Sequence, residues 1–362
     1  VCTAARRLAL SSLGEEVAQR QEGSVVSRRV RPSPLLRAIE RATTAMTRRA
    51  LRAGADAAGK AAARGVEAMS APYRLPVSAG DWIPGQAIGP AGLRRFRLFR
   101  PADVRSSDRL PLLVMLHGCG QNAAAFARST RMDRLAARER FLVLYPEQDL
   151  AANPQGCWNW YDTRSHRAEA EAATLLVAID QACLLYPVDR DAVAVAGLSA
   201  GASMAALLAV RWPERFCAVA MHAGVAPGAA NSAAGVLAAM RGRSLPPTAV
   251  ERGNRPPLLV IHGSEDRVVS VRNAHAAAEQ WAAALGARAA DPRRVQRGAR
   301  HAMTVTDWRV RRRVCVRLCE VERLGHAWSG GAAGEPFSDP QGPDASTLIW
   351  RFVQGSLLGR EA

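Results

Sequence analysis

The sequence predicts an α/β fold in which a mostly parallel sheet is covered by helices on both faces. Two observations carry that expectation. Short apolar runs at 110–116, 141–145, 192–196, 217–221 and 258–261 are continuous rather than alternating. Strands buried on both faces look like this, and parallel sheets are buried on both faces. Helix-length segments separate the runs, and strands alternating with helices build parallel sheets.

Residues 1–75 are rich in Arg and Ala and hold no strand-like run. Leu35, Ile39, Ala42, Met46 and Ala50 recur at helical spacing, a narrow stripe that predicts an amphipathic helix. Gly54, Gly59 and Gly65 weaken its continuation. This segment is expected to be a basic, partly helical, partly disordered extension, with the catalytic domain over 76–362. In that domain the first expected strand is 93–99, followed by the run 110–116, which ends at His117-Gly118. A helix over 123–139, the run 141–145, an irregular loop through 153–162 and a helix over 169–185 come next. The run 192–196 leads straight into Gly197 and a helix reaching Val210. Strands at 217–221 and 258–261 precede a helix at 272–285. A strand pair at 303–310 and 313–322 and a helix at 346–354 close the chain. No repeat is visible, so one catalytic domain is expected, not two.

With 362 residues and 48% hydrophobic content, the chain is long enough to bury a sizeable core. No run of about 18 apolar residues occurs, so no transmembrane helix is expected. The formal charge is +17, carried by arginine, with Lys60 the single lysine. Residues 1–75 hold 14 Lys and Arg against 6 Asp and Glu, nearly half of the surplus. Such a balance attracts anionic surfaces, although the Arg/Ala bias also suits the codons of a GC-rich genome. Seven cysteines at irregular spacing predict no disulfide framework, and no Cys-x-x-Cys pair suggests zinc. Cys315 and Cys319, four apart on one strand, lie about 13 Å apart and cannot bond each other. No secretory leader is legible, since the apolar stretch before Leu13 is short and runs into Glu15 and Glu16. A cytoplasmic location is favoured on that ground, although the chain opens on Val.

The chemistry centres on Gly197-Leu198-Ser199-Ala200-Gly201. A strand-like run precedes this motif and a helical one follows it, the setting of a tight strand–turn–helix elbow that lifts a serine hydroxyl above a sheet. A serine hydroxyl needs a base to take its proton, and the base needs a carboxylate to fix its tautomer. In an α/β-hydrolase fold the order is serine, acid, histidine. His326, in the glycine-flanked loop Leu324-Gly325-His326-Ala327-Trp328-Ser329-Gly330-Gly331, fits the base. His262 ends a strand beside Gly263 and is expected to shape the site, although a base there would precede the acid; His275 reads as a helix surface, His301 as a basic loop, and His222 as packing near the elbow. Asp266 fits the acid, in the small-residue loop after the run 258–261, with Glu265 its competitor. The oxyanion donors are expected from the backbone N–H groups of Ala200 and of Cys119, in His117-Gly118-Cys119-Gly120-Gln121. Trp158, Asn159, Trp160 and Tyr161 form an aromatic cluster in a loop after a strand, where ligands bind in open sheets. They either line a substrate groove, with Trp160 the leading contact, or plug the loop.

At these residues the chain resembles the polyhydroxybutyrate (PHB) depolymerase family of esterases. The matching segments are Leu116-His117-Gly118-Cys119-Gly120-Gln121, Tyr145-Pro146-Glu147-Gln148, Gly156-Cys157-Trp158-Asn159-Trp160-Tyr161, the elbow, and Gly325-His326-Ala327-Trp328-Ser329-Gly330-Gly331, with Pro343-Asp344-Ala345-Ser346 also similar. They run in order over residues 80–355. The resemblance implies an α/β-hydrolase fold, a Ser199–Asp266–His326 triad and an oxyanion hole at Cys119 and Ala200. Trp158, Trp160, Tyr161, His117, Gln121 and Trp328 are the expected substrate-binding residues. No metal or organic cofactor is implied. The expected substrate is a poly- or oligo-hydroxyalkanoate or a similar short-chain ester, with a feruloyl or acetyl-xylan ester as the alternative. Few residues follow the last helix, so no polymer-adsorbing domain is expected there, which favours soluble oligomers. The basic extension is the expected contact for an anionic surface or granule, and no specific nucleic acid is expected. A non-catalytic binding protein is the remaining reading, and the intact triad argues against it.

Overall fold

A computed structural model describes residues 73–246 and 253–358. The basic extension, including the helix expected at 35–50, lies outside the described residues apart from its last three positions.

The chain runs β1 (Gly80–Gly89), β2 (Gly92–Pro101), β3 (Leu110–Leu116), α1 (Ala123–Thr130), α2 (Met132–Glu139), β4 (Leu142–Pro146), α3 (Arg167–Leu185), β5 (Val188–Leu198) and α4 (Ala200–Arg211). It continues through β6 (Ala218–His222), α5 (Ala233–Met240), β7 (Leu258–Gly263), α6 (Arg272–Leu285), β8 (Arg288–Ala289), β9 (Arg293–Val295), β10 (Met303–Val310) and β11 (Arg313–Val321). Two short paired strands, β12 (Trp328–Ser329) and β13 (Ser338–Asp339), precede α7 (Ala345–Leu358). The main sheet has the order β1-β2-β4-β3-β5-β6-β7-β11-β10-β8, with β9 beside β10. From β4 to β11 neighbours are parallel, and the two ends are antiparallel.

The continuous apolar runs behave as their composition requires. Along β3, Leu112, Val114 and Leu116 belong to the core packed with α3, α4 and α6, while Leu113 and Met115 belong to the core packed with α1, α2 and α7. Alternation of side chains across a strand needs both sets apolar when both faces are covered. Truncating any of these buried leucines to Ala costs about 2–5 kcal/mol.

Three local expectations change. The single helix at 123–139 is two helices. Arg131 between them takes φ 53°, ends α1 through its N–H to the Ala127 carbonyl at 2.8 Å, and sends its guanidinium to the Gly330 carbonyl at 2.6 Å. β1 lay unread because Pro84 and three glycines dilute its apolar signal, although it pairs with β2 along its whole length. And among the described residues Cys119 and Cys157, at a spacing that predicted no framework, are bonded, joining the loops after β3 and β4.

Candidate active site

Parallel strands leave their carboxyl ends on one edge of the sheet, where open α/β sheets bind ligands. The loops after β3, β4, β5, β7 and β11 bring the expected residues to that edge. Ser199 is the single residue between β5 and α4, at φ 55° and ψ −119°. The positions two residues to either side must be glycine. A Cβ on Gly197 would collide with the Gly201 backbone, and one on Gly201 with the carbonyls of Leu116 and His117. The Ser199 N–H donates to the His222 carbonyl at 2.8 Å, which ties the elbow to β6.

The loop after β11 brings His326 onto the serine, with Nε2 3.0 Å from Ser199 Oγ. Its Nδ1 lies 2.7 Å from Asp266 Oδ2. A carboxylate only accepts, so the His326 proton sits on Nδ1 and the Nε2 lone pair faces the hydroxyl. Asp266 is itself fixed, because its Oδ1 accepts the N–H groups of Val268 and Val269, each at 2.9 Å. The competing Glu265 is exposed. Burial pushes the Asp266 carboxyl up, but His326 and His262 outweigh it and hold the group well below the usual carboxylate range.

Two further histidines brace this line. His262, buried, has Nε2 2.9 Å from the Val269 carbonyl and 3.4 Å from Asp266 Oδ2, so that nitrogen carries the proton. His222 Nε2 accepts the Ser329 N–H at 3.0 Å, and its ring stacks on Trp328. Burial first, then the fields of His262 and His326, push the His222 pKa down to about 3. His222 is thus a neutral anchor for the loop that carries His326.

Ala200 opens α4, and the first N–H groups of a helix lack intrahelical acceptors. Among the described residues, the Cys119 and Ala200 N–H groups meet no protein acceptor. The turn holding Cys119 is rigid: Gln121 Oε1 accepts the Gly118 N–H at 3.0 Å, Gly120 N–H reaches the Gln155 carbonyl at 2.9 Å, and the disulfide pins the side chain.

The expected groove residues need correction. Trp158 is fully buried, with Nε1 donating to the His117 carbonyl at 3.0 Å. Trp328 is fully buried too, with Nε1 on Ser346 Oγ. His117 is inside, with Nδ1 2.8 Å from the Gly118 carbonyl and Nε2 accepting the Gln148 N–H. Burial lowers its pKa, so it is neutral. Gln121, 6% exposed, gives its Oε1 to the Gly118 N–H. Trp158, Trp328 and His117 are braces beneath the surface, because each polar tip already has a protein partner. Trp160 is largely buried, and Tyr161, edge-on to it, keeps more exposed surface.

Glu171, unread in the sequence, organises the aromatic loop. Buried on α3, it accepts from the Asn159 N–H at 2.9 Å, Asn159 Nδ2 at 2.6 Å and Gln148 Nε2 at 2.9 Å, and pairs with the buried Arg94 at 3.3 Å. Its signal was positional: it lies three residues after Ala168 and four before Leu175, on the apolar stripe of its helix.

Residues 95–302 match the family described as Esterase PHB depolymerase. The chain is 32% identical over 227 residues to poly(3-hydroxyalkanoate) depolymerase C of Paucimonas lemoignei, covering 59% of this chain and 55% of that protein. It therefore spans little more than half of that relative's length. It is 31% identical over 208 residues to feruloyl esterase B of Neurospora crassa, covering 52% of this chain and 70% of the other. The solved acetyl xylan esterase of Aspergillus awamori superposes with a TM-score of 0.63 at 17% identity, over 76% of this chain and 100% of that one. That likeness shows the α/β-hydrolase fold.

Proposed function

The chain belongs to the PHB depolymerase family of esterases and is an ester-hydrolysing enzyme, and we propose that it works through Ser199, His326 and Asp266. The observation that carries this reading is the unbroken line from Ser199 Oγ to His326 at 3.0 Å and on to Asp266 at 2.7 Å.

In this mechanism Ser199 Oγ attacks the ester carbonyl carbon while its proton passes to His326 Nε2. The carbonyl oxygen becomes an oxyanion held by the N–H groups of Cys119 and Ala200, each contributing about 2.7–4 kcal/mol to the barrier reduction. His326 then protonates the departing alkoxide, leaving an acyl-enzyme. Water, deprotonated by the same histidine, cleaves the acyl-enzyme and releases the carboxylic acid. Asp266 keeps the histidine tautomer and stabilises the imidazolium.

The favoured substrate is a hydroxyalkanoate oligomer or polymer, or a similar short-chain ester, supported by the identity with the poly(3-hydroxyalkanoate) depolymerase. Feruloyl and acetyl-xylan esters are the second reading, supported by the feruloyl esterase relative. The catalytic domain is residues 76–362 and the extension 1–75 is accessory.

Ser199→Ala is expected to lower kcat on the order of 10⁶-fold with the melting temperature kept, and to abolish covalent labelling by a fluorophosphonate. Labelling that persists in the variant would place the nucleophile elsewhere. Parallel rates on p-nitrophenyl butyrate, a hydroxybutyrate oligomer, a feruloyl ester and acetylated xylan rank the substrate readings. A feruloyl or acetyl-xylan ester with the highest kcat/KM overturns the favoured one.

A further inference from the structure

A cleft of about 230 Å³ lies where β9, the start of β10 and the first turns of α7 meet. Its basic lining is Arg297, Arg300 and Arg351, and its apolar lining includes Met303, Pro343 and Leu348. These guanidiniums are little used inside the protein. Arg300 donates to the Gly342 carbonyl at 2.7 Å, which steadies it. Among the described residues, the guanidiniums of Arg297 and Arg351 meet no hydrogen-bond acceptor or carboxylate. The one carboxylate in the lining, Asp344, accepts the Thr347 N–H at 3.0 Å at the start of α7. His301 also lines the cleft; it is 6% exposed, and its Nε2 faces Asp339 Oδ2 at 3.5 Å, outside the lining. Three guanidiniums against one carboxylate in the lining, two of them without a protein partner, make a place for an anion.

The apolar walls narrow the class of anion. Guanidinium forks match carboxylate geometry, and burying an alkyl chain against Met303, Pro343 and Leu348 favours an anion that carries one over a bare inorganic ion. The cleft also adjoins the catalytic loop, since the Pro343 carbonyl accepts Ser329 Oγ at 2.6 Å, three residues beyond His326.

We propose that this cleft binds a short-chain carboxylate, the acid that ester hydrolysis releases, with its charge on Arg297, Arg300 and Arg351 and its alkyl chain on Met303, Pro343 and Leu348. The site rests on the cleft alone, and the choice of ligand rests on the esterase reading with Ser199 as nucleophile. The test is calorimetric titration of butyrate into the full chain with Ser199 capped by a fluorophosphonate, and into Ser199→Ala. Both are expected to bind butyrate saturably at one site. In the Ser199→Ala background, Arg297→Gln and Arg351→Gln, at exposed positions, are each expected to weaken it at least tenfold, and Arg311→Gln on the β10–β11 turn to leave it unchanged. Butyramide is expected to give no saturable heat, and inorganic phosphate to bind at least tenfold more weakly. The proposal is overturned by absence of butyrate binding to Ser199→Ala, by binding that survives both substitutions, or by phosphate binding as tightly as butyrate. Failure of the fluorophosphonate to label the wild type strikes instead at the nucleophile, and the Ser199→Ala titration still decides the cleft.

Discussion

Ser199 sits at φ 55° and ψ −119°, a conformation that L side chains rarely adopt. Such strain costs about 1–3 kcal/mol and persists only where the surroundings enforce it. Here β5, α4 and the close approach of Gly201 to β3 enforce it. Glycine would remove the strain at an entropic cost of about 0.5–1 kcal/mol. Ser199→Gly is therefore expected to be more stable than Ser199→Ala by about 1 kcal/mol in urea unfolding, with both inactive. Equal stabilities would mean that the elbow carries no strain. His222 gives a second prediction at this scale. Its folded pKa of about 3 lies below its ordinary 6.5, so between those values the unfolded chain binds a proton that the native chain refuses. Stability from this group is present above about pH 6.5 and is lost as pH falls toward about 3, by at most about 1.4 kcal/mol per pH unit. His222→Gln, whose Oε1 can still accept the Ser329 N–H, is expected to flatten the fall in unfolding free energy across that window. An unchanged slope would show that another group dominates. The sequence made Ser199, Asp266 and His326 legible because a motif, a chain order and a glycine-rich loop mark them. A part for His262 in shaping the site was legible from its place beside Gly263, but not its bracing of Asp266, which depends on a 3.4 Å approach made only after the loop folds back.

The Cys119–Cys157 bond joins two loops that carry different parts of the site, the proposed oxyanion donor and the aromatic cluster. It closes a separation of 38 residues, and chain-entropy reasoning gives such a closure about 4 kcal/mol, with typical measured effects of about 2–4 kcal/mol. The double variant Cys119→Ser/Cys157→Ser is expected to lose stability in that range. Its kcat should fall more than its KM rises, because a loosened turn misplaces the Cys119 N–H in the transition state. An unchanged kcat in the folded variant would remove Cys119 from the oxyanion site. Elements were read from the sequence where one physical signal dominated. The run Leu110–Leu116 is apolar throughout and is β3 to the residue. β5 starts at Val188, earlier than the run 192–196: Val188 pairs with Leu110, and the polar Asp189, Arg190 and Asp191 precede a register shift after which pairing resumes at Val193. The break at Arg131 was unreadable, since nothing but the Gly330 carbonyl waiting for its guanidinium distinguishes it from its neighbours. Aromatic residues misled the reading of the groove, because the tryptophan rings that suggest a ligand surface also fill loop cores when their N–H finds a carbonyl.

Across the whole chain the chemistry and the charge are unevenly divided. Every residue placed in the proposed mechanism lies between Cys119 and His326, while residues 1–75 hold a surplus of 8 positive charges out of 17. Among the described residues no helix is long and apolar enough to cross a membrane. An ester substrate held in a polymer or granule is met at a surface, and if that surface is anionic, a basic extension raises the local enzyme concentration without touching Ser199. Each basic residue close to such a surface contributes about 1 kcal/mol, and salt screens it over a Debye length of about 10 Å at 0.1 M. Deleting residues 1–70 is therefore expected to leave kcat/KM on p-nitrophenyl butyrate unchanged. Binding to vesicles containing phosphatidylserine should weaken, most strongly at low ionic strength, with the difference closing as salt is raised. Vesicle binding equal to that of the full chain would strip the extension of any anchoring role. A collapse of soluble-ester hydrolysis would instead mean that the catalytic domain needs the extension in order to fold, and would move the domain boundary upstream of residue 76.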